Sequence, residues 1–127
     1  MKELVRKTTL LAEEELINAN AKFPMFRSTH EGYAIIKEEI EETVYELEQI
    51  NETFARSWHY IKQNCNVIDE MVAIKQRAIN LAAESIQVAA MAQKFIDSEI
   101  IRENTRVLPT VCSKCKDLII NDERVTE

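Results

Sequence analysis

Two pairs of oxygen-bearing side chains share the same spacing along the chain. Glu39 and Glu42 lie in the glutamate-rich segment HEGYAIIKEEIEE, and Glu84 and Gln87 lie in the alanine-rich segment LAAESIQVAAMA. Residues three apart lie on one face of a helix, so both members of a pair can direct their oxygens toward one point. Hard cations such as Mg²⁺ prefer oxygen ligands and leave coordination positions to water and substrate phosphates. The spacing therefore predicts a divalent-cation site between two facing helices.

The alternative is that these glutamates only cover a solvated helix surface, since glutamate is a good surface helix former. Helical geometry places Glu38 and Glu41 further toward solvent than Glu39 and Glu42. Glu84 is different because its neighbours are small and apolar, which predicts close packing around it. A buried carboxylate must be paired, protonated or metal-bound. The position of Glu84 therefore favours the metal site over the surface interpretation.

The composition predicts that helices position these side chains. The chain has 127 residues, of which one is glycine and two are proline, too few for the turns of a sheet protein. The length suits one domain with an ordinary core. We predict an all-α fold, an antiparallel helical bundle with two long helices. The bundle should cover residues 1–108, with the metal site between residues 30–50 and 80–96.

Local signals predict the ends of three helices. The first, of about five turns, should stop near Pro24, because proline disfavours a helical conformation at the preceding residue and lacks an N–H donor. The sequence STHE is typical of a capping box, with Ser28 as N-cap and Glu31 at the third helical position. A second helix should run from there to about Asn64, and a third should cover about residues 68–104.

The second helix also carries an apolar seam, a set of residues that alternate spacings of four and three. Such a pattern is typical of a helix that packs along its whole length. More apolar surface is present than a three-helix monomer can cover, so we predict a homo-oligomer, a dimer or a tetramer. The members of the seam are Ile40, Val44, Leu47, Asn51, Phe54, Trp58, Ile61, Cys65 and Ile68.

The net charge and the cysteine content limit which partners and which cellular compartment are expected. The formal net charge of −6 argues against nucleic acid as a partner, because nucleic-acid binding depends on a basic surface. The sequence contains no apolar run of the roughly 20 residues that cross a bilayer, so no membrane partner is expected. An odd number of cysteines without an export signal predicts a reducing compartment, the cytoplasm.

The last segment, residues 109–127, is predicted to be a separate tail. Cys112 and Cys115 form a CxxC within it, which is half of a structural zinc site. No second pair and no nearby histidine complete the site. A zinc-bridged assembly is therefore a minor alternative.

The segments HEGYAIIKEEIEE and AAESIQVAAMAQKFI together resemble the phage-type branch of the MazG-like, all-α nucleoside triphosphate pyrophosphohydrolases. That family has ExxE on one helix and ExxD on a later one. Glu39 and Glu42 match the first motif, Glu84 begins the second, and Gln87 stands in the place of the aspartate. The resemblance covers roughly residues 24–96.

The resemblance implies a Mg²⁺ site, with Mn²⁺ as an alternative, formed by Glu39, Glu42, Glu84 and Gln87. It also implies hydrolysis of a nucleoside triphosphate to the monophosphate and pyrophosphate, with Glu39 or Glu42 as the catalytic acceptor of the proton from water. Lys75 and Lys94 are both candidates for contacting phosphates. The alternative function is a helical oligomerisation or nucleotide-binding module that has lost hydrolysis.

Overall fold

The computed structural model describes residues 1–106, and within that range every regular element is a helix. The helices are α1 (Lys2–Lys22), α2 (Thr29–Lys62) and α3 (Ile68–Thr105). The predicted all-α fold with two long helices is confirmed. The tail, with Cys112 and Cys115, lies outside the described residues, so the predictions about it stay predictions.

The helix ends lie where the local signals predict them. Phe23, before Pro24, is extended (φ −131°, ψ 145°) and ends α1. The Ser28 hydroxyl accepts the Glu31 N–H at 3.1 Å and caps the start of α2, which satisfies a donor that has no partner within the helix. After α2, Asn64 adopts a left-handed conformation with φ 57°, which turns the chain toward α3.

Helices α2 and α3 are antiparallel neighbours, as predicted. Glu46 of α2 forms an ion pair with Arg77 at 3.2 Å, whereas Gly32, near the start of α2, lies against Phe95. Positions earlier in α2 therefore face positions later in α3. Helix α1 packs on α3 as well, so α3 is the helix on which both others rest.

The core lies at the end where α1, the linker and α2 meet α3. Its buried apolar residues are Phe26, Ala90 and Met91. The Ser98 hydroxyl accepts the Phe26 N–H at 3.0 Å and thereby ties the linker to α3. A Cβ on Gly32 would collide with the ring of Phe95 and would approach the ring of Phe26 to 3.0 Å, so glycine is required here to let the two aromatic rings pack against α2.

The apolar seam of α2 lies outside the core of the single chain. Trp58 is 59% exposed and Phe54 63% exposed, and the other seven members of the seam are exposed as well. The residues that α2 buries are small: Gly32, Thr53 and Ser57. Phe54 and Trp58 therefore do not lie in the core of the single chain, and the predicted contact with another copy of the chain stays a prediction.

The apolar residues are spread along the helices rather than concentrated in one segment. None of the helices that the structure describes is both long enough and apolar enough to cross a membrane.

Candidate metal centre and adjoining pocket

Helices α2 and α3 bring three carboxylates together at their contact. Oxygen atoms of Glu39, Glu42 and Glu84 all lie within 4.8 Å of one another. Glu39 and Glu84 are half-buried, and Glu42 is exposed. The three acids therefore face one point, with one side open to solvent, which is the arrangement that a hard divalent cation with water and phosphate ligands requires.

The acids disfavour one another's charge. Burial raises the pKa of Glu39, and the negative charges of Glu42 and Glu84 raise it further. Burial also raises the pKa of Glu84, and a hydrogen bond with Glu42 and the charges of Glu42 and Glu46 add to the shift. Both effects stabilise the protonated form of the carboxyl groups. A bound cation would oppose these shifts, because it compensates the negative charges that cause the repulsion.

Gln87 lies in the same opening as the three acids, together with Ala83. Its side-chain amide donates a hydrogen bond of 2.8 Å to Glu15 of α1. The prediction that Gln87 is a metal ligand stays a prediction. Its carbonyl oxygen is an acceptor that the bond to Glu15 leaves free.

Glu15 is a residue of this site that the sequence patterns did not reveal. Its charge contributes to the raised pKa of Glu39, although the two residues belong to different helices. The sequence shows Glu15 only as the last of three consecutive glutamates, and nothing in that run distinguishes it. Only the packing of α1 on α3 places Glu15 at the edge of the acid cluster.

The neighbouring glutamates lie where helical geometry predicts. Glu38 and Glu41 are exposed, and Glu41 pairs with Lys37 at 3.8 Å on the surface. Glu46 is turned toward Arg77. Glu41 and Glu46 therefore form ion pairs, and Glu38 faces solvent.

A pocket of about 510 Å³ adjoins the acid cluster and shares Glu39 and Gln87 with it. We call it the interhelical pocket; it lies between the end of α1, linker residues 23–27, the first turns of α2 and the middle of α3. Phe23, Phe26 and Met91 contribute apolar surface to its wall. Its volume is in the range of small-molecule sites, which are mostly apolar with a few polar groups.

Lys94 lines the interhelical pocket and is only 2% exposed. Its ammonium group lies 5.2 Å from the centre of the Phe26 ring, a distance that allows a cation–π interaction. Lys75 is exposed on the same helix. The structure therefore separates two lysines that the sequence left equal.

No protein-family model, no curated protein and no solved structure among those compared with the chain matches it. The resemblance to the MazG-like pyrophosphohydrolases therefore stays a hypothesis. What the geometry contributes is a cluster of three carboxylates from two helices beside a pocket with a buried cation.

Proposed function

We propose that the protein is a Mg²⁺-dependent nucleotide pyrophosphohydrolase, which converts a nucleoside or deoxynucleoside triphosphate into the monophosphate and pyrophosphate. The observation that carries the proposal is the convergence of Glu39, Glu42 and Glu84 within 4.8 Å. The interhelical pocket next to them supports it, because a nucleotide needs room beside the cation that holds its phosphates.

The residues fit a hard cation in number and in chemistry. Three carboxylates, and the amide oxygen of Gln87 as a fourth ligand, supply the oxygen atoms that Mg²⁺ requires, and Mn²⁺ accepts the same ligands. When bound, the cation compensates phosphate charge and orients water. Burial, and after it the mutual repulsion of the acids, raises the pKa of Glu39 and Glu84, and relief of that repulsion favours binding of such a cation.

The proposed reaction is the addition of water to a phosphorus atom of the triphosphate. A new P–O bond forms, the bond from that phosphorus to the bridging oxygen of the leaving pyrophosphate breaks, and the proton of the water moves to Glu39 or Glu42. Glu84 belongs to the other helix, and its role is to complete the cation site.

Pyrophosphate release tests this proposal. The purified protein is incubated with Mg²⁺ and a panel of ribo- and deoxyribonucleoside triphosphates, and pyrophosphate is detected. We expect release from at least one triphosphate, loss of release in Glu39→Gln, and a nearly unchanged rate in the matched control Glu41→Gln, which alters an exposed glutamate of the same helix. A folded protein that releases no pyrophosphate from any triphosphate would favour the alternative of a nucleotide-binding module without hydrolysis. Equal losses in both variants would mean that the assigned helix face is wrong.

A second copy of the chain is the proposed occupant of the apolar seam, and the assembly is a dimer or a tetramer. The seam lies roughly 100° around α2 from the face that packs on α3, so α2 presents two faces and has one partner within residues 1–106. Six large apolar side chains of the seam within α2 are 42–63% exposed. Covering them stabilises an assembly by about 1 kcal/mol each, half the value for burial of a whole side chain.

Light scattering of the purified protein tests the assembly. We expect a dimer or a tetramer at micromolar concentration, and we expect Trp58→Glu to dissociate it because a carboxylate would be buried in an apolar contact. Arg56→Glu is the matched control, since it places the same residue at an exposed position of α2 outside the seam. A monomeric wild-type protein would contradict the assembly but not the metal site.

The proposed compartment is the cytoplasm. Cys65 is a free, exposed cysteine, and a free thiol is in keeping with a reducing environment.

A further inference from the structure

Lys94 is a buried residue whose side chain forms no ion pair within residues 1–106. It is 2% exposed. None of the side-chain hydrogen bonds in that range involves its ammonium group either; the Lys94 carbonyl oxygen, not its side chain, accepts the bond from Ser98. Lys94 lines the interhelical pocket, and an ammonium group has three hydrogen-bond donors. The side chain therefore points to an acceptor that arrives with a ligand in the pocket.

The surroundings of Lys94 indicate what kind of ligand this is. Burial lowers the pKa of Lys94, and the charge of Glu31 opposes that shift. Glu31 also lines the interhelical pocket, as do Lys22 and Arg27. The pocket therefore offers hydrogen-bond donors and an acceptor beside apolar side chains such as Phe26 and Met91. Flat heteroaromatic rings with polar edges suit such a site, because apolar side chains pack on the ring faces while polar groups bind the edge.

The position of Lys94 along α3 separates it from the phosphates. It lies seven residues beyond Gln87 and ten beyond Glu84, which corresponds to about 10 and 15 Å along the helix axis. On the facing helix, Glu31 precedes Glu39 by eight residues, about 12 Å. Lys94 therefore lies further along the pocket from the acids than Gln87 does, on the side away from a phosphate that is bound through a cation at the acids. The sugar and base of the same nucleotide would extend toward it.

We propose that the interhelical pocket binds the nucleoside end of the substrate, with the base against Phe26 and Met91, Lys94 donating a hydrogen bond to an acceptor on the base edge, and Glu31 accepting one from a base N–H. This proposal rests on the proposed function for the orientation of the nucleotide. Lys94 is then a specificity-determining residue and has no part in the hydrolytic step. The other large cavity, about 540 Å³ between the first half of α1 and α3, has Glu13 as its one charged side chain and shares none of the three acids.

The test compares ligands with and without a base. Affinities are measured by calorimetry, in the presence of Mg²⁺, for inorganic triphosphate and for non-hydrolysable analogues of the four common nucleoside triphosphates. In Lys94→Met we expect the affinity for the preferred analogue to fall about 10- to 100-fold, the range for loss of a hydrogen bond to a charged group. The affinity for inorganic triphosphate should be unchanged. Lys75→Met, at the exposed lysine of the same helix, should alter neither.

Three further measurements distinguish an effect on base binding from an effect on folding and from failure of the proposed function. The unfolding temperature of Lys94→Met should equal or exceed that of the wild type, since the substitution removes a buried charge. In calorimetry, Glu31→Gln should alter the preference among bases. Ligand-observed NMR with nucleosides in the absence of Mg²⁺ should show binding to the wild type and not to Lys94→Met. A wild type that binds nucleosides but hydrolyses nothing would refute the proposed function and support the pocket. The assignment of Lys94 would be overturned by either of two results with a hydrolytically active wild type. In the first, Lys94→Met loses affinity equally for inorganic triphosphate and for nucleotides; in the second, it loses no affinity for either.

Discussion

Substitution of Glu84 by glutamine should make the metal-free protein more stable while weakening its response to Mg²⁺. Two unit charges 4.8 Å apart repel each other by about 3.5 kcal/mol at an effective dielectric constant of about 20. Solvent around the exposed Glu42 screens part of this repulsion, and partial protonation of the acids removes more. We therefore expect a net gain of about 1 kcal/mol, which corresponds to an increase of about 3 to 5 °C in unfolding temperature for a chain of this length.

The assay is thermal unfolding followed by circular dichroism at neutral pH, first with a chelator and then with excess MgCl₂. Ligand binding to the folded state alone stabilises it by about 2.7 kcal/mol when the ligand is at one hundred times its dissociation constant. The wild type should therefore gain stability with Mg²⁺, whereas Glu84→Gln should gain little. Glu84→Gln should therefore have the higher unfolding temperature in chelator, and the wild type should have the higher one in MgCl₂.

The same charges predict a pH dependence for the metal-free wild type. The pKa values of Glu39 and Glu84 are raised above the ordinary value of 4.5 in the folded protein. In the pH range above that value, the folded state therefore binds more protons than the unfolded state. The free energy of unfolding should consequently increase as the pH falls from neutral toward the ordinary value of 4.5. Glu84→Gln should make this increase with falling pH smaller.

The matched control is Glu41→Gln, which removes an exposed carboxylate that pairs with Lys37 on the surface. Such pairs contribute little to stability, so the unfolding temperature should stay nearly the same in both conditions. A Glu84→Gln protein that is less stable than the wild type in chelator would refute the reasoning. So would an equal response of the two proteins to Mg²⁺.

Two further substitutions test the packing and the edge of the site. Gly32→Ala should lower the free energy of unfolding by about 1 to 2 kcal/mol in chemical denaturation. Displacing the rings of Phe95 and Phe26 costs more than the roughly 1 kcal/mol of helix propensity that alanine adds. A variant more stable than the wild type would show that the rings can move freely. Gln87→Asp should tighten Mg²⁺ binding in calorimetry without nucleotide, since it adds a charge to the cluster, and should destabilise the metal-free protein because the hydrogen bond to Glu15 is replaced by repulsion. If neither the wild type nor this variant binds Mg²⁺, even with a non-hydrolysable triphosphate present, the acids are not a metal site.

The sequence by itself determined the helices and their ends. The signals at Pro24, at Ser28 and around Asn64 act within a few residues of the backbone, through restricted dihedral angles and capping hydrogen bonds. They therefore operate in the same way whatever the helices pack against. The rotation of the acids about α2 was predictable for the same reason: 3.6 residues per turn places Glu39 and Glu42 on one flank and leaves Glu41 in solvent.

The contacts between helices were decided only by the tertiary structure. Periodicity identifies the apolar face of a helix but not the partner that covers it, so the seam of α2 could belong to the core of the chain or to another copy. The same limit applies to charged residues on different helices. Glu15 comes close to Glu39 because α1 packs on α3, a contact that joins parts of the chain far apart in sequence and leaves no periodic signal in either.

Lys94 is the clearest example of a residue whose environment was decided by the tertiary structure and not by the sequence. In the sequence, Lys75 and Lys94 are both lysines of a long helix. The seven-residue spacing places Lys94 on the same face as Gln87, but no spacing shows that either lysine is buried. In the structure, the linker with Phe26 is tied to Ser98 and covers Lys94, whereas no part of residues 1–106 buries Lys75. Burial of a side chain depends on every element that packs around it. For that reason the sequence could predict the acid pairs, which depend on one helix at a time, and could not predict the buried lysine or the pocket around it.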